Sequence, residues 1–295
     1  MRVHLVANPT AGRGRVPDHV RALSARLEAR GASVATHWTE GPGDARRHVA
    51  SLAPGEVDRL VVFGGDGTLH EVVNARERPF PWPVAVVPVG TANLVARDAG
   101  MPPPRRTEAL AHAIEAGEEW AVDLLETDRG LAVANVGVGI DAEIVRAAAA
   151  ARRGGPGGYG RWVGPLARAF VGHVPPTLRA TVDGGEPIPC AAVVVQNARA
   201  YGGPFTLSGE ARMDDGLLHV FAIRAGPARD WFRTAVAAFR GVAQSLRHVR
   251  VVSGRQVEVR GETSAAVQVD GDPAGETDVT VRVARGALRL LRPPR

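Results

Sequence analysis

Lysine is absent from the 295 residues, so all 36 basic side chains are arginine. Any cation that meets a phosphate here is therefore a planar guanidinium fork rather than a point charge. Cysteine is nearly absent: Cys190 alone excludes an internal disulfide and a cysteine cage for a metal. It stands in an apolar run reaching Val195 and is expected to be a small core residue. Long apolar runs are missing too. No uncharged stretch reaches the ~18 residues of a membrane span, and the best candidate, Leu131 to Ala151, is interrupted by Asp141, Glu143 and Arg146. Met1 to Asn8 has neither the basic region nor the apolar stretch of a secretory signal. The expectation is a cytoplasmic protein that meets any membrane peripherally. Zinc-ligand spacing and interleaved aromatic and basic residues are also missing, so no nucleic-acid partner is expected.

What is present suits a buried core. Hydrophobic residues make up 45% and charged ones 23%, and the length fits two domains of ~150 residues. The net charge of +5 favours anionic partners such as acidic lipid headgroups or nucleotides. A genome rich in Arg, Ala, Gly and Pro codons explains the same excess, and composition does not choose.

The first third alternates short apolar runs with helical patterns. Strands are predicted at Val3 to Ala7, Ser33 to Trp38, Leu60 to Phe63 and Val84 to Val87. Val20, Leu23 and Leu27 recur at helical spacing before Gly31, and a second helix is predicted over Asp44 to Leu52. This alternation predicts a parallel, doubly wound α/β sheet. After Asp123 the rhythm changes to strand after strand: Leu131 to Val136, Leu178 to Val182, Ala191 to Val195, Leu218 to Ile223, Val257 to Arg260 and Val279 to Val283. Gly- and Pro-rich turns between them predict a mainly antiparallel β-sandwich. Two helical stretches interrupt it, near Ile140 to Arg152 and Ala228 to Leu246, and Gly154 to Gly160 reads as a loop or linker. The domains are placed at 1–122 and 123–295, with the last residues able to dock back on the first domain.

Chemistry concentrates in three loops that each follow a strand of the α/β part. In Leu60 to Asn74, an apolar strand runs into Gly64-Gly65-Asp66-Gly67-Thr68 and then a helix. Glycines there let the backbone approach a ligand and aim N–H groups at an anion, aided by the helix dipole. Asp66 repels phosphate unless a metal lies between them, which a bridging Mg²⁺ would supply; a plain helix-capping turn explains the same residue. Asn8-Pro9-Thr10-Ala11-Gly12-Arg13-Gly14 follows the first strand, and Pro88-Val89-Gly90-Thr91-Ala92-Asn93-Leu94 follows the fourth. In an open parallel sheet such loops converge on one crevice.

These segments, with NVGVGIDAEI from Asn135, DDGLL from Asp214 and VDGD from Val269, resemble the soluble bacterial diacylglycerol kinase family, related to the sphingosine and ceramide kinases. The motifs stand in family order over nearly the whole chain. The GGDGT run alone is shared with NAD kinases; the GTAN segment and the later motifs point to the lipid kinases. The resemblance implies a nucleotide-binding α/β domain and a β-sandwich domain, with the active site in the cleft between them. It implies ATP as phosphoryl donor, Mg²⁺, a lipid substrate with a free hydroxyl (diacylglycerol first), and transient contact with an anionic membrane surface; a homodimer is left open. Carried over residue by residue, Asn8, Gly12, Gly14, Gly64, Gly65, Gly67, Thr68, Gly90, Thr91, Asn93 and Asp272 would surround the nucleotide. Asp66 and Asp123 would join an Asp–water–Mg²⁺ network, and Asp270 would be the general base. Asp215 and the carbonyl of Leu217 would form a second, structural Mg²⁺ site; an Asp-Gly turn explains the same letters. An acid on a tight turn can accept a hydroxyl proton as phosphoryl transfer begins, although an Asp-Gly hairpin is also common for its own sake.

Two positions depart from the family pattern. Leu94 stands where many members carry an acid, and Asp272 where a Glu is usual. His70, where many members have Asn, is expected to face solvent. A soluble-substrate kinase of the NAD kinase type and a catalytically silent lipid- or nucleotide-binding protein are the alternative readings. Trp162, Phe170, Trp231, Phe232 and Phe239 lie on helical stretches, where core packing is the default and spacing does not show which of them touch a bilayer.

Overall fold

The computed structural model describes residues 1–151, 164, 175–203 and 205–294. The Gly154 to Gly160 segment, Trp162 and Phe170 lie outside the described residues. The chain forms two compact units, Met1–Val122 with Gly286–Arg295, and Asp123–Arg285.

In the first unit, β1 (Arg2–Ala7), β2 (Ser33–Trp38), β3 (Arg59–Gly64) and β4 (Val84–Pro88) form a parallel sheet in the order β2-β1-β3-β4. Around it lie α1 (Val16–Glu28), α2 (Asp44–Ser51), α3 (Asp66–Val73), α4 (Leu94–Asp98) and α5 (Thr107–Ala116). Leu60 to Phe63 are wholly buried, the near-continuous apolar run that a parallel strand covered on both faces requires. α1 turns Val20, Leu23 and Leu27 inward, one stripe of a helix with exposed charges opposite. All the strands run the same way, so Asn8, Gly65 and Val89 emerge at one edge of the sheet.

The chain enters the second unit within β5 (Glu118–Thr127). There follow β6 (Gly130–Ala132), β7 (Asn135–Gly139), α6 (Ile140–Ala151), β8 (Leu178–Val182), β9 (Ile188–Cys190), β10 (Ala192–Gln196), β11 (Leu218–Ile223), α7 (Ala228–Phe239), β12 (Val249–Gly254), β13 (Gln256–Gly261), β14 (Ala266–Val269), β15 (Asp272–Glu276) and β16 (Val279–Arg292). One antiparallel sheet has the order β12-β11-β10-β7-β14-β15, and the first half of β16 continues a second as β16-β13-β8-β9. Val193, Val195, Val220 and Val267 of the first sheet pack on Leu178, Ala180, Val257 and Val281 of the second. The alternate residues Val194 and Phe221 face the other way, into a layer with Ile140 and Trp231. The fold is an α/β unit followed by an antiparallel β unit.

Three predicted elements differ in detail. The single strand expected over Leu131 to Val136 is broken at Val133-Ala134, because the main-chain N–H groups of Val133, Ala134 and Asn135 turn toward the carboxylate of Asp270. The helix expected from Ala228 to Leu246 stops at Phe239, where Gly241 takes φ +71° and ends the run; a 3-10 turn, Ala243–Ser245, follows. The strand expected over Val279 to Val283 continues to Arg292 and buries Leu288, Leu290 and Leu291. Cys190 is buried, and burial pushes its thiol up to about 12.

Candidate active site

Three loops meet at the edge of the first unit. The Asn8 N–H donates to the Phe63 carbonyl at 2.9 Å, tying the end of β1 to the end of β3. The Asn8 side-chain oxygen accepts from the Thr10 N–H and hydroxyl, at 3.0 and 2.8 Å, and so shapes its own loop. Gly12 and Gly14 take φ of +61° and +81°, conformations that glycine enters without strain. The backbones of the other two loops cross in direct contact. A Cβ on Gly90 would lie 2.5 Å from the Gly65 Cα, and one on Gly65 would lie 3.2 Å from the Gly90 Cα. At Gly90 no side chain fits this crossing, and at Gly65 one fits only if Gly90 gives by a few tenths of an ångström. A Cβ on Gly64 would meet the buried Thr68 side chain at 2.4 Å.

Asp66 opens α3 and Gly67 beside it is exposed. One Asp66 oxygen accepts from the Val95 N–H at 3.3 Å, joining the second loop to α4. Asn93, at φ 50°, closes the third loop on itself: its oxygen accepts from the Gly90 N–H at 2.7 Å and its amide donates to the Gly90 carbonyl at 2.8 Å. Thr91 is exposed. Leu94 is buried at the start of α4 and serves the core. His70 is half-buried rather than solvent-facing. Glu71, which the sequence did not single out, accepts from the Gly43 N–H at 2.9 Å and anchors the start of α2 to α3.

The second unit holds Asp123, Asp215 and Asp270. Asp123 is buried at 4% exposure, and its carboxylate accepts from the Gly216 N–H at 2.7 Å. The β5 acid and the Asp214-Asp215-Gly216-Leu217 turn are thereby one assembly. Asp215 accepts from the Leu217 N–H at 3.0 Å with one oxygen and meets His219 Nε2 at 2.9 Å with the other. Among the described residues, no three His, Cys, Asp or Glu side chains gather in a metal-holding group. Asp66 belongs to the first unit and Asp123 to the second.

Asp270 and Gly271, at φ 49° and 84°, form the two-residue turn joining β14 to β15, with Val269 opposite Asp272. The turn does more than reverse the chain. The Asp270 carboxylate accepts from the N–H groups of Val133, Ala134 and Asn135 at 2.7, 2.8 and 3.1 Å, while its own N–H donates to the Asn135 carbonyl at 3.0 Å. Three of about four acceptor positions on the carboxylate are thus engaged by main chain. Behind the turn, the buried Gln268 accepts from the Gly271 N–H at 2.8 Å and donates to Asn135 Oδ1 at 2.7 Å and Asp141 Oδ2 at 2.9 Å. Tyr201 donates its hydroxyl to the other Asp141 oxygen. Burial pushes the Asp141 carboxyl up to about 6 against the Gln268 hydrogen bond. The sequence assigned these four residues no role, although Gln268 and Asn135 are polar letters within apolar strands, the signal that marks a buried network.

Residues 2–127 match the family model described as the diacylglycerol kinase catalytic domain, and residues 134–292 match the YegS C-terminal NAD kinase beta sandwich-like domain. The chain belongs to the diacylglycerol kinase and YegS-like lipid kinase family. It is 27% identical over 290 residues to the "Diacylglycerol kinase" of Bacillus subtilis (strain 168), covering 93% of this chain and 90% of that protein. It is 29% identical to a "Probable lipid kinase YegS-like" of Pseudomonas aeruginosa, covering 94% and 90%. A crystal structure of a diacylglycerol kinase from Bacillus anthracis shares the fold, with TM-score 0.73, 19% identity and coverage of 99% and 97%. An NAD kinase from Archaeoglobus fulgidus, solved in complex with ATP, shares it more distantly, with TM-score 0.54, 18% identity and coverage of 100% and 94%. In this member of the family the glycines of the GGDGT and GTAN segments fall where the two loop backbones cross, and the VDGD turn falls where Asp270 gathers three N–H groups.

Proposed function

We propose that this kinase transfers the γ-phosphoryl group of Mg·ATP to the free hydroxyl of a lipid, with diacylglycerol as the acceptor. The observation that carries the nucleotide half is the crossing of Gly65 and Gly90, which gives a polyphosphate a wall of bare backbone at the N-terminus of α3. Membership of the lipid kinase family supports the acceptor class. The phosphate contacts are assigned to the backbone of Gly12, Gly14, Gly64, Gly65, Gly67 and Gly90, with Asn8, Thr68 and Asn93 holding the loops in shape.

Mg²⁺ takes oxygen ligands and keeps several waters, so one carboxylate beside the phosphates is a sufficient protein share. Asp66, half-buried in the first turn of α3 beside the glycines, fits that role and would hold the ion, which would spread charge on the transferring phosphate. Asp215 fits less well because both its oxygens bind Leu217 and His219, and Asp123 because it is buried at 4% exposure with an oxygen on Gly216. Their assignment here is to brace the turn that follows residue 213.

Asp270 is the residue assigned to take the acceptor's proton. Its three N–H partners fix the carboxylate on a turn whose backbone is itself held by Asn135 and Gln268. An acid fixed in this way is oriented before the substrate arrives, which is what positioned proton transfer demands. Incubation of the protein with Mg²⁺ and γ-labelled ATP, in separate reactions with diacylglycerol, ceramide, sphingosine and NAD, tests the reading. Label is expected in diacylglycerol. Label in NAD alone would replace the proposal with a soluble-substrate kinase, and label in none would leave a binding protein. Asp66→Asn is expected to raise the Mg²⁺ concentration giving half-maximal turnover; an unchanged Mg²⁺ dependence would remove Asp66 from the metal.

A further inference from the structure

Among the described residues, the largest exposed apolar side chains include Phe232 at 70% and Phe239 at 64%. Both belong to α7. The inner face of this helix is well packed: Trp231, Thr234, Ala237 and Ala238 are buried. Its outer face carries two parallel stripes. Phe232, Val236 and Phe239 recur at i, i+4 and i+7 and form the apolar one, with Val236 half-buried between two exposed rings. Arg229, Arg233 and Arg240 form the other at i, i+4 and i+11, and all three are exposed. The one acid of the helix, Asp230, lies off this face, mostly covered, and reaches Arg233 at 3.7 Å.

Phe239 meets the Phe205 ring edge-on at 6.2 Å on one side, and the exposed remainder of both α7 rings loses free energy in water unless something apolar covers it. What covers these rings must also tolerate three guanidinium groups alongside, which a neutral protein surface or a second arginine-bearing copy does poorly. An anionic lipid surface offers both: acyl chains for the rings and phosphates for the forks. We propose that α7 is the surface by which this kinase docks on anionic membranes, lying in the interfacial plane with Phe232 and Phe239 immersed and Arg229, Arg233 and Arg240 on the phosphates. The choice of a membrane as partner rests on the lipid kinase reading; the location of the surface rests on α7 alone.

The test is co-sedimentation with vesicles of phosphatidylcholine containing about 30% phosphatidylglycerol, for the full chain and two variants. One is Phe232→Ala with Phe239→Ala; the other is Arg229→Gln with Arg233→Gln and Arg240→Gln. The unaltered protein is expected to bind, more weakly on pure phosphatidylcholine and at high salt. Each variant is expected to lose roughly 10²-fold in partitioning, from two immersed rings or from three arginines near the surface. Turnover of a short-chain, water-dispersed diacylglycerol without vesicles is expected to be unchanged. Binding of either variant at the unaltered level would overturn the proposal, as would indifference of the unaltered protein to the vesicles. A dimer that the phenylalanine variant dissociates while vesicle binding persists would assign the face to a second copy instead. Should no lipid be phosphorylated while the variants still lose vesicle binding, the functional reading fails and the docking surface stands.

Discussion

At Gly90 a single methyl group decides whether two loops can cross. A Cβ there would sit 2.5 Å from the Gly65 Cα, closer than any relaxed contact, and both partners are main chain with no rotamer to swing away. Gly90→Ala must therefore push the loops apart, and a loss of at least about tenfold in ATP affinity, ~1.4 kcal/mol, is expected by calorimetry. Gly65→Ala meets Gly90 at 3.2 Å and is expected to lose less. Equal, full affinity in both variants would take the crossing out of the nucleotide site. A second residue-scale feature is the stack of His4, His48 and His37, with His4 Nε2 and His48 Nε2 2.7 Å apart and the His37 and His48 rings 3.7 Å apart. Burial, then the neighbouring His48 and His37, lowers the His4 pKa to about 4 from an ordinary 6.5. Between those values the unfolded chain binds more protons at this position than the folded one, so the stability from neutral His4 is complete above pH 6.5 and lost as pH falls toward 4. Asp141, pushed up to about 6, works in the opposite direction. The difference between parent and His4→Gln isolates the histidine: melting temperature in the variant is expected to fall less between pH 6.5 and 4. Parallel curves would show that His4 does not carry the acid sensitivity.

The break between β6 and β7 shows one side chain overriding a strand pattern. Leu131 to Val136 is apolar enough to be a single strand, and nothing in those six letters reports that an aspartate 135 to 137 residues later will gather three of their N–H groups. Such a break is a long-range fact and illegible locally. α7 has the opposite character, since Gly241 announced a stop that the helical spacing beyond it obscured. The inner strands β1, β3 and β4 were legible to within a residue at their ends, because a doubly covered parallel strand leaves an unmistakable apolar run. Gln268 is the element-scale link between β14 and the turn. Gln268→Met keeps its length but leaves the Gly271 N–H and two buried oxygens without their partner, a loss of about 1–3 kcal/mol. A melting temperature lowered by several degrees is expected, together with faster hydrogen exchange at Gly271; unchanged exchange there would show that the turn holds itself.

For the whole molecule, the sequence carried the fold class and the loop motifs, while the packing of charges stayed hidden. GGDGT and PVGTAN can be read as ligand loops from their letters, but that Gly65 and Gly90 touch cannot. VDGD reads as a hairpin on its letters alone and as a base only through the family resemblance; the structure adds the N–H cradle around Asp270, which organises its turn whatever chemistry the carboxylate performs. That double duty makes Asp270→Asn the informative variant. It places an amide against an N–H group and so costs some stability, which melting and ATP calorimetry at low temperature will register separately from chemistry. The measurement that bears most directly on the account is the single-turnover rate of phosphoryl transfer from labelled ATP to diacylglycerol by folded Asp270→Asn, beside the parent. Loss of the base is expected to slow transfer by roughly 10²- to 10⁴-fold with ATP affinity retained; transfer at the parent's rate would contradict the account and leave Asp270 as the organiser of its turn.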